Sequence, residues 1–139
     1  MSLAFPDVNV WLALSTNHVH QKPALEWWNQ EARAIGFCRF TQLGLLRLLT
    51  TASVMDSNPL SMGQAWKTYD QFFRDERVQF LAEPPTIENS LRRLSSSAHA
   101  SPKIWVDAYL LAFAQETGAF VVTFDKALSR RAEHSVLLT

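Results

Sequence analysis

Residues 104–125 read IWVDAYLLAFAQETGAFVVTFD, and this stretch decides the fold. Its first part, residues 104–117, predicts a strong helix that Gly118 closes at the C′ position. Residues 119–123, AFVVT, form the clearest buried strand of the chain. A helix that leads directly into a buried strand is typical of right-handed crossover units, which build parallel sheets.

Segments of the same two kinds alternate along the rest of the chain. Further strands are predicted at residues 4–7, 35–40, 78–81 and 135–138, and further helices at residues 20–31, 42–51, 61–75, 86–94 and 126–131. Thr41 is predicted to cap the helix at 42–51, and the Ser61-x-x-Gln64 capping box opens the next helix. Pro6 lacks a backbone donor, so the first strand should be short and end near it. We expect a mostly parallel α/β sheet with helices on both faces.

Composition limits the classes of protein to consider. The 139 residues fit one domain, residues 1–139, and the 47% hydrophobic and 19% charged contents are those of a globular chain. No apolar run reaches the roughly 18 residues of a membrane span, so no membrane partner is expected. A single cysteine, Cys38, excludes a disulfide framework and suits a reducing compartment, which favours a cytoplasmic protein. Thirteen basic residues balance thirteen acidic ones, which argues mildly against bulk electrostatic attachment to nucleic acid.

Three aspartates stand where a parallel sheet binds its ligands, beyond the carboxyl ends of its strands. Asp7 ends the first predicted strand, Asp125 follows residues 119–123, and Asp107 lies in the first turn of the helix at 104–117. Each of them could simply stabilise a helix N-terminus, since aspartate is a good cap there. Together they favour a site for a hard cation such as Mg²⁺ or Mn²⁺, which needs carboxylates that converge from separate elements.

Four sequence blocks carry a family resemblance. They are Asp7-Val-Asn9-Val-Trp-Leu-Ala-Leu, Thr41-Gln-Leu-Gly-Leu-Leu-Arg47-Leu, Asp107-Ala-Tyr-Leu-Leu-Ala-Phe-Ala and Thr123-Phe-Asp125. In this order and spacing the chain resembles PIN domains, most closely the VapC-type toxins of bacterial and archaeal toxin–antitoxin pairs. The resemblance implies a five-stranded parallel sheet of order 3-2-1-4-5 sandwiched by helices. It also implies metal-dependent endonucleolytic cleavage of RNA, an antitoxin partner and a homodimer.

The resemblance also implies the site residues. Asp7, Asp107 and Asp125 correspond to the acids that hold the metal and carry catalysis. The second acid of the family, usually a glutamate, falls on Gln42, which can act as an outer ligand or a substrate contact but brings no charge. From their positions in the sequence, Asn9 and Thr123 are candidates to orient the carboxylates, although they could instead be a turn amide and a strand-end hydroxyl. Lys126, next to Asp125, is the favoured basic residue near the metal.

Other chemistry-bearing residues and other functions stay open. The pairs Arg92-Arg93 and Arg130-Arg131 could meet phosphates, although basic pairs on helix ends are usually solvated. The main alternative function is a PIN fold that has lost catalysis and binds RNA or protein, which Gln42 favours. A phosphatase with a nucleophilic aspartate would need a second acid two residues later, where this chain has Asn9.

Overall fold

The computed structural model describes residues 2–139. Within these residues five strands alternate with seven helices. The strands are β1 (Leu3–Pro6), β2 (Ala34–Phe37), β3 (Val78–Phe80), β4 (Phe120–Thr123) and β5 (Ser135–Leu137). The helices are α1 (Val8–Ser15), α2 (Gln21–Gln30), α3 (Arg39–Leu49), α4 (Met62–Phe72), α5 (Ile87–Ser95), α6 (Ile104–Thr117) and α7 (Lys126–Arg131).

The strands form one parallel sheet in the order β3-β2-β1-β4-β5, which confirms the expected fold class. The central strand β1 pairs with β2 on one side and β4 on the other. Because the chain order reverses between β1 and β4, the switch point lies between these two strands. Pro6 is the last residue of β1, opposite Val122, as its missing donor predicts. The next backbone N–H, that of Asp7, continues the ladder by donating to the Val122 carbonyl at 3.0 Å.

Each face of the sheet has its own hydrophobic core. On one face α1–α4 bury Trp11, which stacks on Phe37 with ring centroids 3.7 Å apart. On the other face α5–α7 surround a second cluster in which Phe5 stacks on Phe113 at 4.9 Å. Both helical layers exclude water from the faces of the sheet, so its carboxyl edge is where side chains at the ends of the strands can reach solvent. No helix of residues 2–139 combines the length and the apolar character needed to cross a bilayer.

Local sequence signals predicted the ends of α6 correctly and the start of α3 incorrectly. The boundaries predicted for α6 are confirmed, and Gly118 adopts the left-handed conformation (φ 68°) that closes the helix. The prediction that Thr41 caps the third helix is wrong, because α3 begins at Arg39 with Cys38 as its N-cap. The Thr41 hydroxyl instead accepts a hydrogen bond from the Cys38 N–H at 3.0 Å, one turn inside the helix. The Ser61–Gln64 capping box before α4 is confirmed.

Candidate metal centre

Adjacent ends of β1 and β4 carry the first two candidate acids. Asp7 follows Pro6 directly, and Asp125 lies two residues after Thr123. Since β1 and β4 are paired in register, Asp7 and Asp125 emerge at the same edge of the sheet, beside the switch point. The third acid, Asp107, arrives from α6, whose first turn begins at Ile104. The topology therefore brings three separate elements to one edge.

Thr123 connects the two strand-end acids. Its side chain is fully buried, and its hydroxyl donates a hydrogen bond to Oδ2 of Asp7. The same hydroxyl oxygen accepts the backbone N–H of Asp125 at 3.0 Å. One side chain thus orients the Asp7 carboxylate and the backbone from which Asp125 extends.

Asp7 and Asp125 are also helix caps. Oδ1 of Asp7 accepts the Val10 N–H at 3.1 Å, and Oδ1 of Asp125 accepts the N–H groups of Ala127 at 2.8 Å and Leu128 at 3.2 Å. The capping role is therefore present, and it does not use up the ligand capacity of these side chains, because each carboxylate oxygen has two lone pairs. Capping fixes the orientation of both acids at the edge of the sheet.

Asp125 acts electrostatically on both of the other carboxylates. Burial raises the pKa of Asp7, the hydrogen bonds from Thr123 and from the Val10 N–H oppose that rise, and the nearby charge of Asp125 adds to it. Burial also raises the pKa of Asp107, and Asp125 adds to that rise as well. Asp125 therefore lies within electrostatic reach of both other acids. Like charges within electrostatic reach of one another are destabilising unless a cation or a proton offsets them.

The donor set fits a divalent cation, although its side chains are not drawn together around a common point. Within residues 2–139 no group of three or more His, Cys, Asp or Glu side chains is arranged so that it could hold a metal ion. Asp125 is exposed, and Asp107 forms no side-chain hydrogen bond in the described part of the chain. Asp107 can therefore turn towards a cation without breaking a hydrogen bond, and Asp125 can offer its Oδ2 while its Oδ1 caps α7. Hard oxygen donors of this kind suit Mg²⁺ or Mn²⁺.

Gln42 makes its hydrogen bonds with residues other than the three acids. It is buried at the start of α3, and its Oε1 accepts a hydrogen bond from Arg39 at 2.6 Å. The amide of Gln42 also donates a hydrogen bond to Tyr69 on α4, which lowers the pKa of Tyr69 against the raising effect of burial. A neutral amide held by an arginine and a tyrosine contributes no negative charge to the site.

Asn9 and Lys126 are both exposed at the first turns of α1 and α7. The backbone N–H of Asn9 lowers the pKa of Asp7, whereas its side chain makes no hydrogen bond within residues 2–139. Lys126 likewise makes no side-chain contact of that kind in the described chain. Both side chains are accessible from solvent next to the acids.

One basic residue near the acids has more specific contacts than its sequence context suggests. Arg131, at the end of α7, lowers the pKa of Asp107 through its charge. Its Nη2 also donates to the Leu94 carbonyl at 3.2 Å, which ties α7 to α5. The sequence showed only a basic pair on a helix end, and nothing in that pattern distinguishes Arg131 from Arg130.

A parallel sheet of this order, with carboxylates at its carboxyl edge beside the switch point, defines the class: a three-layer α/β protein with an acidic site. Comparison with known proteins identifies the family. The PIN domain model matches residues 4–134. The chain belongs to the PIN domain family and is a homologue of the VapC ribonucleases.

Two relatives from Mycobacterium tuberculosis show how far the similarity extends. Ribonuclease VapC41 is 40% identical over 131 residues, which cover 89% of this chain and 90% of that protein. Ribonuclease VapC44 is 31% identical over 131 residues, with 93% of this chain and 90% of that protein covered. The similarity thus spans nearly the whole of both chains.

Solved structures share the fold at low sequence identity. Mycobacterium tuberculosis VapC20, a Sarcin-Ricin loop cleaving toxin, superposes with a TM-score of 0.63 at 16% identity, covering 91% of this chain and 93% of that one. PAE2754 from Pyrobaculum aerophilum gives a TM-score of 0.61 at 14% identity, with 97% and 88% covered. The arrangement of the sheet and its helices is therefore that of this family.

Proposed function

We propose that this protein is a metal-dependent endoribonuclease, the toxin of a toxin–antitoxin pair, that binds Mg²⁺ or Mn²⁺ through Asp7, Asp107 and Asp125. The observation that carries the proposal is that β1, α6 and β4 bring Asp7, Asp107 and Asp125 to one edge of the sheet, where Asp125 raises the pKa of both other carboxylates. A cation between them would relieve that repulsion. The ribonuclease names of the relatives support RNA as the substrate.

The side chains have separate tasks in this proposal. A bound ion supplies a water of lowered pKa and offsets negative charge on the phosphoryl oxygens. Asp7, Asp107 and Asp125 provide the ligands, and Thr123 holds the Asp7 carboxylate in one orientation. Lys126, exposed beside Asp125, is available to contact a phosphate of the substrate.

The proposal is tested by cleavage of a mixed RNA pool by the purified chain in Mg²⁺, in Mn²⁺ and in EDTA. We expect cutting in either metal and none in EDTA. We also expect Mn²⁺ to raise Tm, because a ligand at about 100 times its Kd stabilises the folded state by about 2.7 kcal/mol. Cleavage of RNA in EDTA would contradict the proposal. So would a protein that cuts no RNA and whose Tm is the same with and without metal.

A binding module without catalysis is the second candidate, and the contacts of Gln42 favour it. Where the family usually has a glutamate, this chain holds a neutral amide against Arg39, so one charge of the site is missing. The two candidates differ in their response to metal. A binding module would retain RNA or a protein partner without needing Mn²⁺ and would cut nothing.

An antitoxin, a second copy of the chain and a cytoplasmic location complete the proposed function. The relatives' VapC names support the antitoxin, and the sole cysteine, Cys38, is a free thiol buried in the core, as suits a reducing compartment. An apolar surface on α3 and α4 supports a homodimer. Leu43, Met62 and Trp66 are 56%, 73% and 46% exposed there and line a groove of about 350 Å³.

Changing Leu43 to glutamate should therefore separate the proposed homodimer into monomers. The charge would have to be buried in an apolar interface without a partner, which is costly, whereas in the monomer it faces water. Light scattering after size-exclusion chromatography measures the mass. Leu25→Glu is the matched control, since Leu25 is similarly exposed (41%) on α2. A dimeric mass retained by Leu43→Glu would place the interface elsewhere.

A further inference from the structure

A groove runs along α6 away from the acidic edge. Asp107, Leu111 and Gln115 are spaced by four residues and therefore share one face of this helix. Beyond Asp107, this face forms one side of a groove of about 190 Å³ between α5, α6 and α7. Its other lining residues are Arg93, Leu94, Arg131 and Glu133.

Two guanidinium groups stand on opposite walls of this groove. Arg93 extends from α5 and donates to Oε1 of Gln115 at 2.9 Å, and Arg131 extends from α7 and donates to the Leu94 carbonyl at 3.2 Å. Within residues 2–139 neither of them forms an ion pair, whereas Arg92, next along α5, is paired with Glu88 at 2.9 Å. Because a guanidinium has five N–H donors, most of the donors of Arg93 and Arg131 remain available to a ligand.

The course of α7 places Arg131 near the site. This helix begins directly after Asp125, and Arg131 is its last residue, roughly 9 Å of helix further on. On α6, Leu111 lines the groove and lies about one turn after Asp107. Arg93 is further along the groove, where its charge also helps to lower the pKa of Glu116. The positive charge therefore begins next to the acids and continues along α6.

We propose that Arg131, assisted by Arg93, binds a backbone phosphate of the RNA next to the scissile one and so guides the strand along the groove. This inference rests on the proposed function, because it assigns the path that the RNA substrate of that function takes. Guanidinium groups match phosphate oxygens in pairs, and the two unpaired arginines supply the charge that the acidic edge lacks for an anionic chain. Leu94 and Leu111 also line the groove.

The test measures RNA binding apart from cleavage. A fluorescein-labelled, single-stranded RNA of mixed sequence is titrated with protein in Mg²⁺, in an Asp7→Asn background, and anisotropy is followed at several salt concentrations. We expect Arg131→Ala to weaken binding roughly tenfold, as removal of a charge-assisted hydrogen bond does. The slope of log affinity against log salt should fall by about 0.7, because one phosphate of the strand is no longer neutralised.

Two further variants separate a specific contact from a general effect of charge. Arg131→Lys should keep the slope of log affinity against log salt and lose only part of the affinity. Lysine keeps the positive charge but cannot form the two parallel hydrogen bonds of a guanidinium to a phosphate. Arg74→Ala removes the same charge from an exposed position after α4, on the other face of the sheet, and should leave both quantities unchanged.

In the otherwise unchanged chain, Arg131→Ala should raise KM roughly tenfold while kcat changes much less, since the arginine is remote from the bond that breaks. Unchanged RNA binding in Arg131→Ala, an equal loss in Arg74→Ala, or no measurable binding by the Asp7→Asn parent would each overturn the inference. Failure of the unchanged chain to cut RNA would overturn the proposed function instead, and the binding comparison would still decide the role of Arg131.

Discussion

Replacing Asp7 by asparagine is expected to abolish RNA cleavage and, at the same time, to stabilise the metal-free protein. Asparagine is as good an N-cap as aspartate, so Oδ1 can still accept the Val10 N–H and α1 keeps its start. The Nδ2 that replaces Oδ2 can donate to the Thr123 hydroxyl oxygen, which reverses the hydrogen bond between these two side chains. The variant then loses a negative charge in a buried position. The same change therefore removes a metal ligand and relieves a buried carboxylate.

The expected loss of activity follows from the role of the ion. Stabilisation of transition-state charge by a bound metal amounts to several kcal/mol, so loss of a ligand should reduce the cleavage rate by about 10³-fold or more. The gain in stability follows from the raised pKa of Asp7, whose main cause is burial. An acid whose pKa is raised by folding destabilises the folded state at any pH where it is ionised, and the asparagine variant removes that penalty.

The measurements are the rate of RNA cleavage in Mn²⁺ and the Tm in EDTA, both near neutral pH. A gain of about 1 kcal/mol would raise the Tm of a domain of this size by roughly 3–5 °C. Asp70→Asn is the matched control, because Asp70 is exposed on α4 and away from the site. Activity retained by Asp7→Asn would show that Asp7 is not a ligand, and a lower Tm in EDTA would show that the buried carboxylate does not destabilise the metal-free protein.

Local pattern predicted a mostly parallel sheet and the positions of the three acids, whereas the order of the strands came from the resemblance to PIN domains. Strand–helix alternation and the Gly118 stop are short-range signals, and the rule that ligands bind beyond the carboxyl ends of strands then brought Asp7 and Asp125 to one edge. The start of α3 was predicted incorrectly because a threonine can stand at either of two positions. It can be the N-cap itself, or it can lie three residues inside the helix and close a capping box, as Thr41 does, and the sequence does not distinguish the two.

The environments of Gln42 and Arg131 could not be predicted from pattern. The hydrogen bond between Gln42 and Tyr69 joins α3 to α4, and the effect of Arg131 on Asp107 joins α7 to α6. Both contacts depend on how the helices pack on the sheet, and the spacing of residues within one helix does not determine that packing. Such long-range contacts decide which of several similar arginines or glutamines belongs to a site.

Changing Thr123 to valine is expected to reduce cleavage by about 10- to 100-fold although Thr123 is not itself a proposed ligand. Groups that orient metal ligands through hydrogen bonds have effects of this size. Valine keeps the branched shape of threonine in a fully buried position, so packing is preserved. Only the hydroxyl is removed, and with it the donor to Asp7 and the acceptor for the Asp125 N–H.

The variant should also be less stable, by about 2 kcal/mol, because a buried polar group left without its partner costs about 1–3 kcal/mol. Thr123→Ser is the matched control, since it restores the hydroxyl and loses a methyl group. We expect Thr123→Ser to recover most of the activity while remaining somewhat destabilised. Equal activity losses in the serine and valine variants would show that packing, and not the hydroxyl, is what the site requires.

The pH profile distinguishes orientation of a ligand from a general loss of stability. The hydrogen bond from Thr123 lowers the pKa of Asp7 against the effect of burial, so without it that pKa rises further. A cation binds the deprotonated carboxylate, and therefore the acidic limb of the pH–activity curve should move to higher pH in Thr123→Val, with more Mn²⁺ needed at a given pH. At temperatures well below Tm, destabilisation alone would leave nearly all of the protein folded and would not move that limb. A profile with an unmoved acidic limb would therefore show that the Thr123 hydroxyl does not tune the Asp7 carboxylate.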